Sequence, residues 1–382
     1  MKEFKKINIH IYPSNIRHES RILKETKSIG DSGLVDKIFI IGMGGKDFKE
    51  FEHLDKKRTV WLIPFKIGGL PDYGFWRIFK YLEWMSKILI GLRKEKISLV
   101  TCHSLPVLPL GILFKIFKKS KVVYDAHELE TEGAGVSKIR KIPSKIIERI
   151  LINYVDSIIV VSDSIAEWYK NKYNLKKVYV VKNFPRRQKI KQNNILKRKF
   201  NIKEDEILFI NQGVLGEGRG TEILLSVFSK LNPKKHIVFM GYGGLENEIK
   251  EYEKKFSNIH FSPAVKPEEV IDYTAGTDVG VHLAENICLS YFYSLPNKIF
   301  EYILSGIPII VSNFPEMAKI VDENNCGWKV SVDKKSLRQL VEKISKEDIE
   351  KKKKNTLNCR DKFIWEEEGK KLVKIYEKLL RD

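Results

Sequence analysis

Cysteine, long apolar runs and closely spaced aspartates are scarce in this sequence of 382 residues. The cysteines, Cys102, Cys288, Cys326 and Cys359, have neither the paired spacing of a disulfide framework nor the short spacing of zinc ligands. The longest apolar run, residues 105–114, contains two prolines and has about half of the roughly 20 residues that a membrane-spanning helix requires. We therefore expect no disulfide framework, no structural zinc and no transmembrane segment.

Two further absences narrow the function. No Asp-x-Asp pair occurs, so a site that holds a divalent metal through paired carboxylates has no obvious ligands. We expect neither a metal nor a cofactor. The basic residues 1–20 reach polar residues without the apolar core of a secretory signal. Together with the cysteine usage, this predicts a cytoplasmic protein.

Charge is unbalanced, with 69 Lys and Arg against 49 Asp and Glu and a formal net charge of +20. The excess lies mostly in the first half of the chain. Such a field attracts anionic partners, whether nucleic acid, phospholipid headgroups or a phosphorylated substrate. A lysine-rich composition that serves solubility explains the charge equally well.

Short runs rich in Ile, Val and Phe alternate with amphipathic segments, which predicts βαβ units and parallel sheets. The expected strands of the first half are 7–12, 37–41, 59–63, 98–101, 122–125, 157–161 and 178–181. The same pattern restarts after the lysine-rich residues 186–199, with strands expected at 207–211, 236–240, 259–262, 279–282, 308–312 and 328–330. The sequence therefore predicts an α/β fold with two doubly wound, Rossmann-like domains.

The domain boundary is expected at Asn183-Phe184-Pro185, because proline cannot continue a strand and restricts the residue before it. We predict domains at 1–185 and 186–361, and an amphipathic helix at 362–382 that packs back on the first domain. Ligands of open α/β sheets lie beyond the carboxyl ends of the strands, so a cleft between two such domains is the expected active site.

The densest candidate motif is SLPNKIFEY at residues 294–302. Proline near a first helical turn marks a helix N-terminus, whose free N–H groups, together with Lys298, favour a diphosphate. Glu301 lies one turn further on, where its carboxylate can accept both hydroxyls of a ribose. The alternative interpretation makes Lys298 and Glu301 solvated charges on an ordinary helix.

A second phosphate-type loop, GVLGEGRGT at residues 213–221, follows the strand predicted at 207–211. Its glycines, Gly213 and Gly218 among them, allow backbone N–H groups to converge on an oxyanion, and Arg219 adds a permanent positive charge. Glycine-rich turns of this kind also occur for purely steric reasons. A further glycine turn, residues 241–244, is interpreted as structural.

Two segments of the first half carry polar residues near expected strand ends. In YDAHE, residues 124–128, His127 and Glu128 follow a strand, and a histidine there can hydrogen-bond a sugar hydroxyl or relay a proton. A structural histidine is the alternative. After the first strand, the turn at 13–21 contains Arg17 and His18, with Arg17 placed to meet an anionic ligand.

Together these motifs resemble the retaining GT-B glycosyltransferases of family 4, the group 1 enzymes of bacterial polysaccharide and glycolipid biosynthesis. The similarity runs nearly end to end. The segments that carry it are RHESR at 17–21, YDAHE at 124–128, NQG at 211–213, RG at 219–220, LPNK at 295–298 with EY at 301–302, and Phe363 with Trp365.

The resemblance implies a GT-B architecture and transfer of a sugar from a nucleotide-diphosphate sugar to a polysaccharide or lipid-linked acceptor, with retention of configuration and without metal. Arg219 and Lys298 would hold the diphosphate, Glu301 the ribose, and His127 would lie near the transferred sugar. The expected catalytic residues are His127, Arg219 and Lys298; the donor-binding residues are Gly213, Gly218, Arg219, Ser294, Leu295, Pro296, Asn297, Lys298 and Glu301; the acceptor-binding residues are Arg17, His18 and Glu128.

The sequence departs from the family at two positions. Many members carry a second glutamate eight positions before the one that matches Glu301, and Tyr293 stands there, so the missing carboxylate is absent or supplied from elsewhere, for instance by Glu285. Val214 replaces the usual arginine after the first glycine of the phosphate loop. Both changes affect the donor sugar and the catalytic detail.

The sequence leaves three alternatives open. Aromatic and basic residues at 75–84 and 112–121 either lie on an anionic membrane at its inner face or form core helices. The reaction could instead be that of a nucleotide-sugar epimerase or hydrolase, since fold alone does not fix it. A non-enzymatic nucleic-acid binder is suggested only by charge, and no nucleic-acid partner is expected.

Overall fold

The computed structural model describes residues 5–17, 19–45, 48–65, 75–134, 138–190 and 193–381. The chain forms two compact units. The first comprises residues 1–182 together with 367–382, and the second comprises residues 183–366. That the first unit binds the acceptor and the second the donor remains a prediction.

The first unit is built on an eight-stranded sheet in the order β3-β4-β2-β1-β5-β6-β7-β8. The strands are β1 Ile7–Ile11, β2 Lys37–Met43, β3 Phe51–His53, β4 Arg58–Ile63, β5 Ile97–Cys102, β6 Lys121–Ala126, β7 Ser157–Val160 and β8 Val178–Val180. The helices between them are α1 Ser20–Ser32, α2 Phe75–Gly91, α3 Leu108–Lys118, α4 Lys138–Leu151 and α5 Asp163–Tyr173. All residues of β1 and β4 are buried, as expected for strands covered on both faces.

The second unit contains a parallel six-stranded sheet in the order β11-β10-β9-β12-β13-β14. Its strands are β9 Ile207–Val214, β10 Lys235–Tyr242, β11 Ile259–Pro263, β12 Val279–His282, β13 Ile309–Ser312 and β14 Gly327–Val330. Its helices are α6 Ile195–Lys199, α7 Thr221–Phe228, α8 Glu246–Lys255, α9 Val270–Ala275, α10 Leu289–Phe292, α11 Asn297–Leu304, α12 Pro315–Asn324, α13 Lys334–Lys343 and α14 Lys346–Cys359.

Each sheet reverses its strand order at one point. In the first unit β1 lies between β2 and β5, and in the second β9 lies between β10 and β12. At these points, the helices that follow two adjacent strands lie on opposite faces of the sheet. The carboxyl ends of those two strands, β1 and β5 in the first unit and β9 and β12 in the second, frame a crevice where open α/β sheets bind ligands.

The final helix, α15 Trp365–Arg381, returns to the first unit, as the sequence predicts. Its Tyr376 hydroxyl lies 2.7 Å from Thr101 Oγ1 of β5 in a buried hydrogen bond. Phe363, just before the helix, packs instead in the second unit, where its ring lies 5.6 Å from that of Phe184 and 5.4 Å from that of Phe300. The aromatic residues of this closing segment therefore belong to two different cores.

The predicted α/β class with two doubly wound domains is confirmed, and every strand expected from the sequence is present. The sequence pattern missed β3, which pairs antiparallel with β4 at the sheet edge. All three residues of β3 are exposed, so the strand has no apolar alternation to reveal it. Within the described ranges, no helix combines the length and apolar character needed to cross a bilayer.

Candidate functional site

In the second unit, the end of β9 and the loop that leads from it to α7 require glycine at several positions. Gly213, Gly218 and Gly220 have φ angles of 96°, 72° and 71°, which side chains other than glycine rarely adopt. A Cβ at Gly213 would lie 2.5 Å from Cε and 2.8 Å from Nζ of Lys298. The missing side chain therefore makes room for the lysine, which lies directly over the backbone at the end of β9.

Two predicted phosphate-binding cations lie close together at this crevice. Burial and, after it, the positive charge of Arg219 lower the pKa of Lys298, the carboxylate of Glu301 opposes them, and the pKa is about 8 as a result. The guanidinium of Arg219 also lies 5.4 Å from the ring centroid of Tyr291. A half-buried pair of like charges is costly without an anion, so the arrangement favours a negatively charged ligand.

His282, at the carboxyl end of β12, joins the same group. Burial, followed by the charges of Lys298 and Arg219, lowers its pKa well below the usual range. Its Nδ1 is buried and has no hydrogen-bond partner among the described residues, and the same holds for Oγ1 of Thr221, the first residue of α7. Buried polar atoms without partners are rare in native proteins and are explained when a ligand supplies the missing bond.

Two helices begin beside these side chains. The N-cap positions are Gly220 for α7 and Pro296 for α11, and neither provides a side-chain hydrogen bond to the first turn. In α11 the N–H of Ile299 donates to Pro296 O at 3.2 Å. The N-cap side chains leave the other N–H groups of the two first turns to another acceptor, and helix N-termini favour phosphate.

Glu301 is held in place by a chain of hydrogen bonds. Gln212 Nε2 donates to Glu301 Oε2 at 2.7 Å, and Thr274 Oγ1 donates to Gln212 Oε1 at 2.7 Å. The backbone N–H of Gln212 donates to the Tyr302 hydroxyl at 3.1 Å. Glu301 is thus fixed against the end of β9, one helical turn from Lys298, as a carboxylate that binds ribose hydroxyls would have to be.

Glu285, the suggested substitute for the missing glutamate, lies against the glycine loop. Its Oε1 accepts a hydrogen bond from Gly220 N at 3.2 Å, and its own N–H donates to Gly218 O at 3.0 Å. It also lines a cavity of about 450 Å³ beyond the ends of β12, β13 and β14. The other lining residues are Asn286, Ile287, Asn313, Phe314, Ser331 and Val332. Tyr293, which occupies the position of the missing glutamate, lies at the end of α10.

The other predicted donor-binding residues surround the start of α11. Ser294 Oγ donates to Tyr291 O at 2.8 Å, Leu295 is buried in the core, and Asn297 is the exposed first residue of the helix. Gly218 lies against the next loop, where a Cβ would come within 2.5 Å of Ile287. These positions shape the backbone of the crevice.

In the first unit, His127 lies just beyond β6 and is part of a buried polar cluster. Its Nε2 is 3.0 Å from Asp125 Oδ2, and its ring stacks on that of Tyr12 at 5.7 Å. Glu128 is exposed, and the guanidinium of exposed Arg17 lies 4.6 Å from the Phe48 ring centroid. His18 lies outside the described residues, so its predicted acceptor role is a matter of sequence alone.

Sequence reasoning missed His282 and His103. Both follow the rule that singled out His127, because each stands at or just after the carboxyl end of a predicted strand. His103 comes directly after β5, and its Nδ1 lies 2.9 Å from Asp125 Oδ2. Applying the rule to every expected strand would have found them.

Comparison with known families gives two matches in succession. The family model described as Glycosyltransferase Family 4 matches residues 38–184, and the one described as Glycosyl transferases group 1 matches residues 192–360.

Two curated proteins are similar in sequence. The chain is 27% identical over 256 residues to an uncharacterized glycosyltransferase of Methanocaldococcus jannaschii. It is 22% identical over 304 residues to chitobiosyldiphosphodolichol beta-mannosyltransferase of Kluyveromyces lactis. The matches cover 61% and 69% of this chain and 59% and 66% of the respective relatives, so each leaves a third or more of the relative unmatched.

Solved structures share the whole fold. Sucrose-phosphate synthase from Thermosynechococcus elongatus has a TM-score of 0.81 at 14% identity, covering 99% of each chain. Anabaena HepE in complex with UDP-glucose has a TM-score of 0.74 at 12% identity, covering 98% of this chain and 100% of that one. WaaG, a glycosyltransferase involved in lipopolysaccharide biosynthesis, has a TM-score of 0.64 at 13% identity, covering 97% and 99%. These similarities identify the fold as GT-B.

Proposed function

The chain belongs to the glycosyltransferases of family 4 and group 1, whose models match it in succession, and we propose that it moves a sugar from a nucleotide-diphosphate sugar to a polysaccharide or lipid-linked acceptor. The observation that carries this proposal is the second-unit crevice, where Arg219 and Lys298 lie near His282. Nδ1 of His282 is buried there without a hydrogen-bond partner from the described ranges. Complexes of HepE with UDP and UDP-glucose support a donor of this class.

In this proposal the second unit binds the donor. Lys298, Arg219 and the first N–H groups of α7 and α11 hold the diphosphate, and Glu301 accepts the ribose hydroxyls. When the glycosidic bond breaks, negative charge grows on the departing diphosphate, and the two cations stabilise it without a metal ion. The acceptor then attacks on the face from which the diphosphate leaves, so configuration is retained.

The first unit contributes the acceptor side. His127 contacts the transferred sugar or the attacking hydroxyl, and Arg17, His18 and Glu128 bind the acceptor. Glu285 takes the place of the carboxylate that Tyr293 replaces, since it lies against the glycine loop and lines the neighbouring cavity.

A thermal-shift screen of nucleoside diphosphates tests the donor site. A ligand that binds only the folded protein raises its Tm, so one base is expected to give the largest shift. Lys298→Ala and Glu301→Ala are expected to abolish the shift, whereas Lys335→Ala, an exposed lysine of the same unit, should keep it. No shift with any nucleoside diphosphate, or one that survives in both site variants, would reject the proposed site.

The reaction itself is tested with the matching nucleotide sugar. Transfer to added glycan or lipid-linked acceptor, with products analysed for anomeric configuration after EDTA treatment, is the expected result. Conversion or release of the sugar without any acceptor would instead favour an epimerase or hydrolase on this fold.

We further propose that the first unit contacts an anionic membrane at the cytoplasmic face. Ile142, Ile146 and Ile150 lie four residues apart on one side of α4, and 54% to 65% of each is exposed. Ile116 and Phe117 at the end of α3 are 64% and 73% exposed. Basic residues stand beside both groups, and exposed apolar side chains with flanking cations are typical of membrane-surface helices. The exposed large hydrophobics of α2 are Trp76, Ile78, Phe79, Leu82 and Ile90.

Vesicle flotation decides this part of the proposal. The protein is expected to float with anionic vesicles at moderate salt and to stay behind with neutral ones. The double variant Ile146→Glu with Ile150→Glu should lose binding, and Leu357→Glu, at an exposed position of the second unit, should not. Absence of flotation with anionic lipid would remove the membrane contact.

A further inference from the structure

A buried chain of hydrogen bonds runs through the first unit behind His127. Asn8 and His10 of β1 begin it, His103 continues it, and Asp125 of β6 ends it. Asn8 Nδ2 donates to Leu99 O at 3.2 Å. The next three contacts are His10 Nε2 to Asn8 Oδ1 at 2.7 Å, His10 Nδ1 to His103 Nε2 at 2.8 Å, and His103 Nδ1 to Asp125 Oδ2 at 2.9 Å.

The direction of each bond follows from the Asn8 end. Since Nδ2 of Asn8 points at a backbone carbonyl, Oδ1 is the acceptor and His10 must carry its proton on Nε2. Nδ1 of a neutral His10 then accepts, so His103 carries its proton on Nε2. Nδ1 of a neutral His103 is left as an acceptor, 2.9 Å from a carboxylate oxygen that is also an acceptor.

Changing tautomers does not remove this conflict. Both ends of the chain, Leu99 O and Asp125 Oδ2, are acceptors, and each neutral imidazole supplies one donor and one acceptor. Moving the proton of each histidine from Nε2 to Nδ1 only shifts the contact between two acceptors to His10 Nε2 and Asn8 Oδ1. A proton on His127 Nε2 lies within reach of both His103 Nδ1, at 3.2 Å, and Asp125 Oδ2, at 3.0 Å. The shorter contact of 2.9 Å between His103 Nδ1 and Asp125 Oδ2 becomes a hydrogen bond only with one additional proton, carried on His103 Nδ1.

Glu25 of α1 provides a second place for that proton. Its Oε2 lies 4.0 Å from His103 Nδ1, and its Oε1 lies 3.0 Å from Arg21 Nε. Both carboxylate oxygens are buried, and within the part of the chain that the structure describes neither has a hydrogen bond. Burial raises the pKa of Glu25 well above its usual range and lowers that of His103 to about 4, which favours the proton on Glu25. The short contact to Asp125 favours it on His103.

Asp125 connects this chain to His127. Arg21 donates to both carboxylate oxygens of Asp125, at 2.8 Å and 3.0 Å, and also to Val181 O at 2.8 Å. Although burial raises the pKa of Asp125, Arg21 and His127 hold it well below its usual range. The other titratable or charged groups around the cluster are Tyr12, Lys24 and Tyr376.

We propose that the cluster holds one proton more than neutral imidazoles provide, shared between His103 and Glu25, and that Asp125 is thereby kept as an ionised acceptor that fixes His127 with its proton on Nε2. Asp125 is thus a positioning residue. Nδ1 of His127, whose side chain is 22% exposed, has no hydrogen bond among the described residues. It is left as an acceptor for a hydroxyl group.

The substrate side of this inference rests on the proposed function. A hydroxyl of the transferred sugar or of the acceptor can donate to His127 Nδ1, whereas a carbonyl oxygen cannot. The same geometry lets His127 take the proton of an attacking hydroxyl onto Nδ1, becoming an imidazolium that Asp125 stabilises. The hydroxyl oxygen keeps the electron pair of the broken O–H bond.

Long-range ¹H–¹⁵N correlation spectra of the full chain, labelled with ¹⁵N-histidine and treated with EDTA, test the inference without any substrate. His127→Gln and His103→Gln assign the two signals. At neutral pH we expect His127 to be the Nε2–H tautomer. We expect the ¹⁵N chemical shifts of the His103 ring to be displaced toward those of an imidazolium. A proton on Nδ1 of His127, or a fully neutral His103, would overturn the proposal.

Asp125→Asn gives a second readout. It should remove the single tautomer of His127 and lower kcat at least about tenfold, because a correctly protonated base is lost, while nucleoside diphosphate binding stays unchanged. Asp31→Asn, an exposed residue of α1, is the matched control. If Asp125→Asn does not fold, the wild-type spectrum still decides.

The two proposals fail in different ways. Loss of the donor site would appear as absent nucleotide binding, which leaves the histidine spectra untouched.

Nδ1 of His103, Oδ2 of Asp125 and Nε2 of His127 lie within 3.2 Å of one another, a spacing that a divalent ion could also bridge. About one equivalent of bound metal after purification without chelator would overturn the shared proton.

Discussion

The ammonium group of Lys298 occupies the space where a side chain at Gly213 would begin, since a Cβ there would stand 2.8 Å from Nζ. The end of β9 and the start of α11 are therefore matched to each other. Glycine at position 213 both tolerates the positive φ angle and leaves room for the side chain of Lys298.

Gly213→Ala is expected to damage the donor site and the stability together. The added Cβ displaces Lys298, and a φ of 96° costs a residue other than glycine about 1–2 kcal/mol. Nucleoside diphosphate affinity, measured by calorimetry, should fall at least about tenfold, which corresponds to about 1.4 kcal/mol. Gly244→Ala is the control, because nothing lies within 4 Å of a Cβ there. Equal affinities for the two variants would contradict this relationship.

Lys298 should make diphosphate binding depend on pH. Its pKa is lowered to about 8, so the free protein loses the charge as pH rises from 7 to 9. If the charged form alone binds, affinity falls about tenfold over this range. Lys298→Arg stays charged and should keep its affinity to pH 9. Parallel pH profiles for the two proteins would refute the role of this charge.

The same shift has a consequence for stability. Because the pKa of Lys298 is lower in the folded than in the unfolded state, the unfolded state binds more protons between about pH 8 and 10.5. The contribution of Lys298 to the free energy of unfolding therefore rises with pH in that window. The test is urea unfolding of wild type and of Lys298→Met, which lacks the buried charge, at pH 7.5 and 9.5. The free energy of unfolding of the variant should exceed that of wild type by less at pH 9.5 than at pH 7.5.

Glu301→Gln should weaken recognition of the ribose. The wild-type carboxylate accepts from hydroxyls and is steadied by Gln212, so ribonucleoside diphosphates should bind more tightly than 2′-deoxy analogues. A hydrogen bond to a charged group contributes about 1.5–3 kcal/mol, and the variant should lose most of this preference. A preference that persists in Glu301→Gln would place the ribose elsewhere.

Asp125→Ala is expected to destabilise the first unit. Removing one partner of a buried ion pair leaves the other charge uncompensated and typically costs about 3–5 kcal/mol, and Arg21 is 4% exposed here. Glu342→Ala breaks the exposed pair with Arg338 and should change the unfolding free energy by less than about 1 kcal/mol. Urea unfolding followed by fluorescence compares the two, and similar midpoints would contradict the expectation.

Much of the fold could be predicted because its signals are local. Apolar runs such as those of β1 and β9 give strands directly, and proline and glycine give their ends. Strand β3 was not predicted because its formation depends on pairing with β4 and its exposed residues show no alternation of apolar and polar side chains. His282 and His103 stand at or just after strand ends that the sequence predicts, but the groups that they contact are known only from the tertiary structure.

The sequence by itself determined the α/β class, the two-domain plan and the family, because periodicity and short motifs are properties of neighbouring residues. Only the tertiary structure decided which polar groups meet. Lys298 and Gly213 come together across separate strands and helices, as do Asn8, His103 and Asp125. Their charges and proton positions are set by burial and by partners distant in the chain, and no local pattern encodes either.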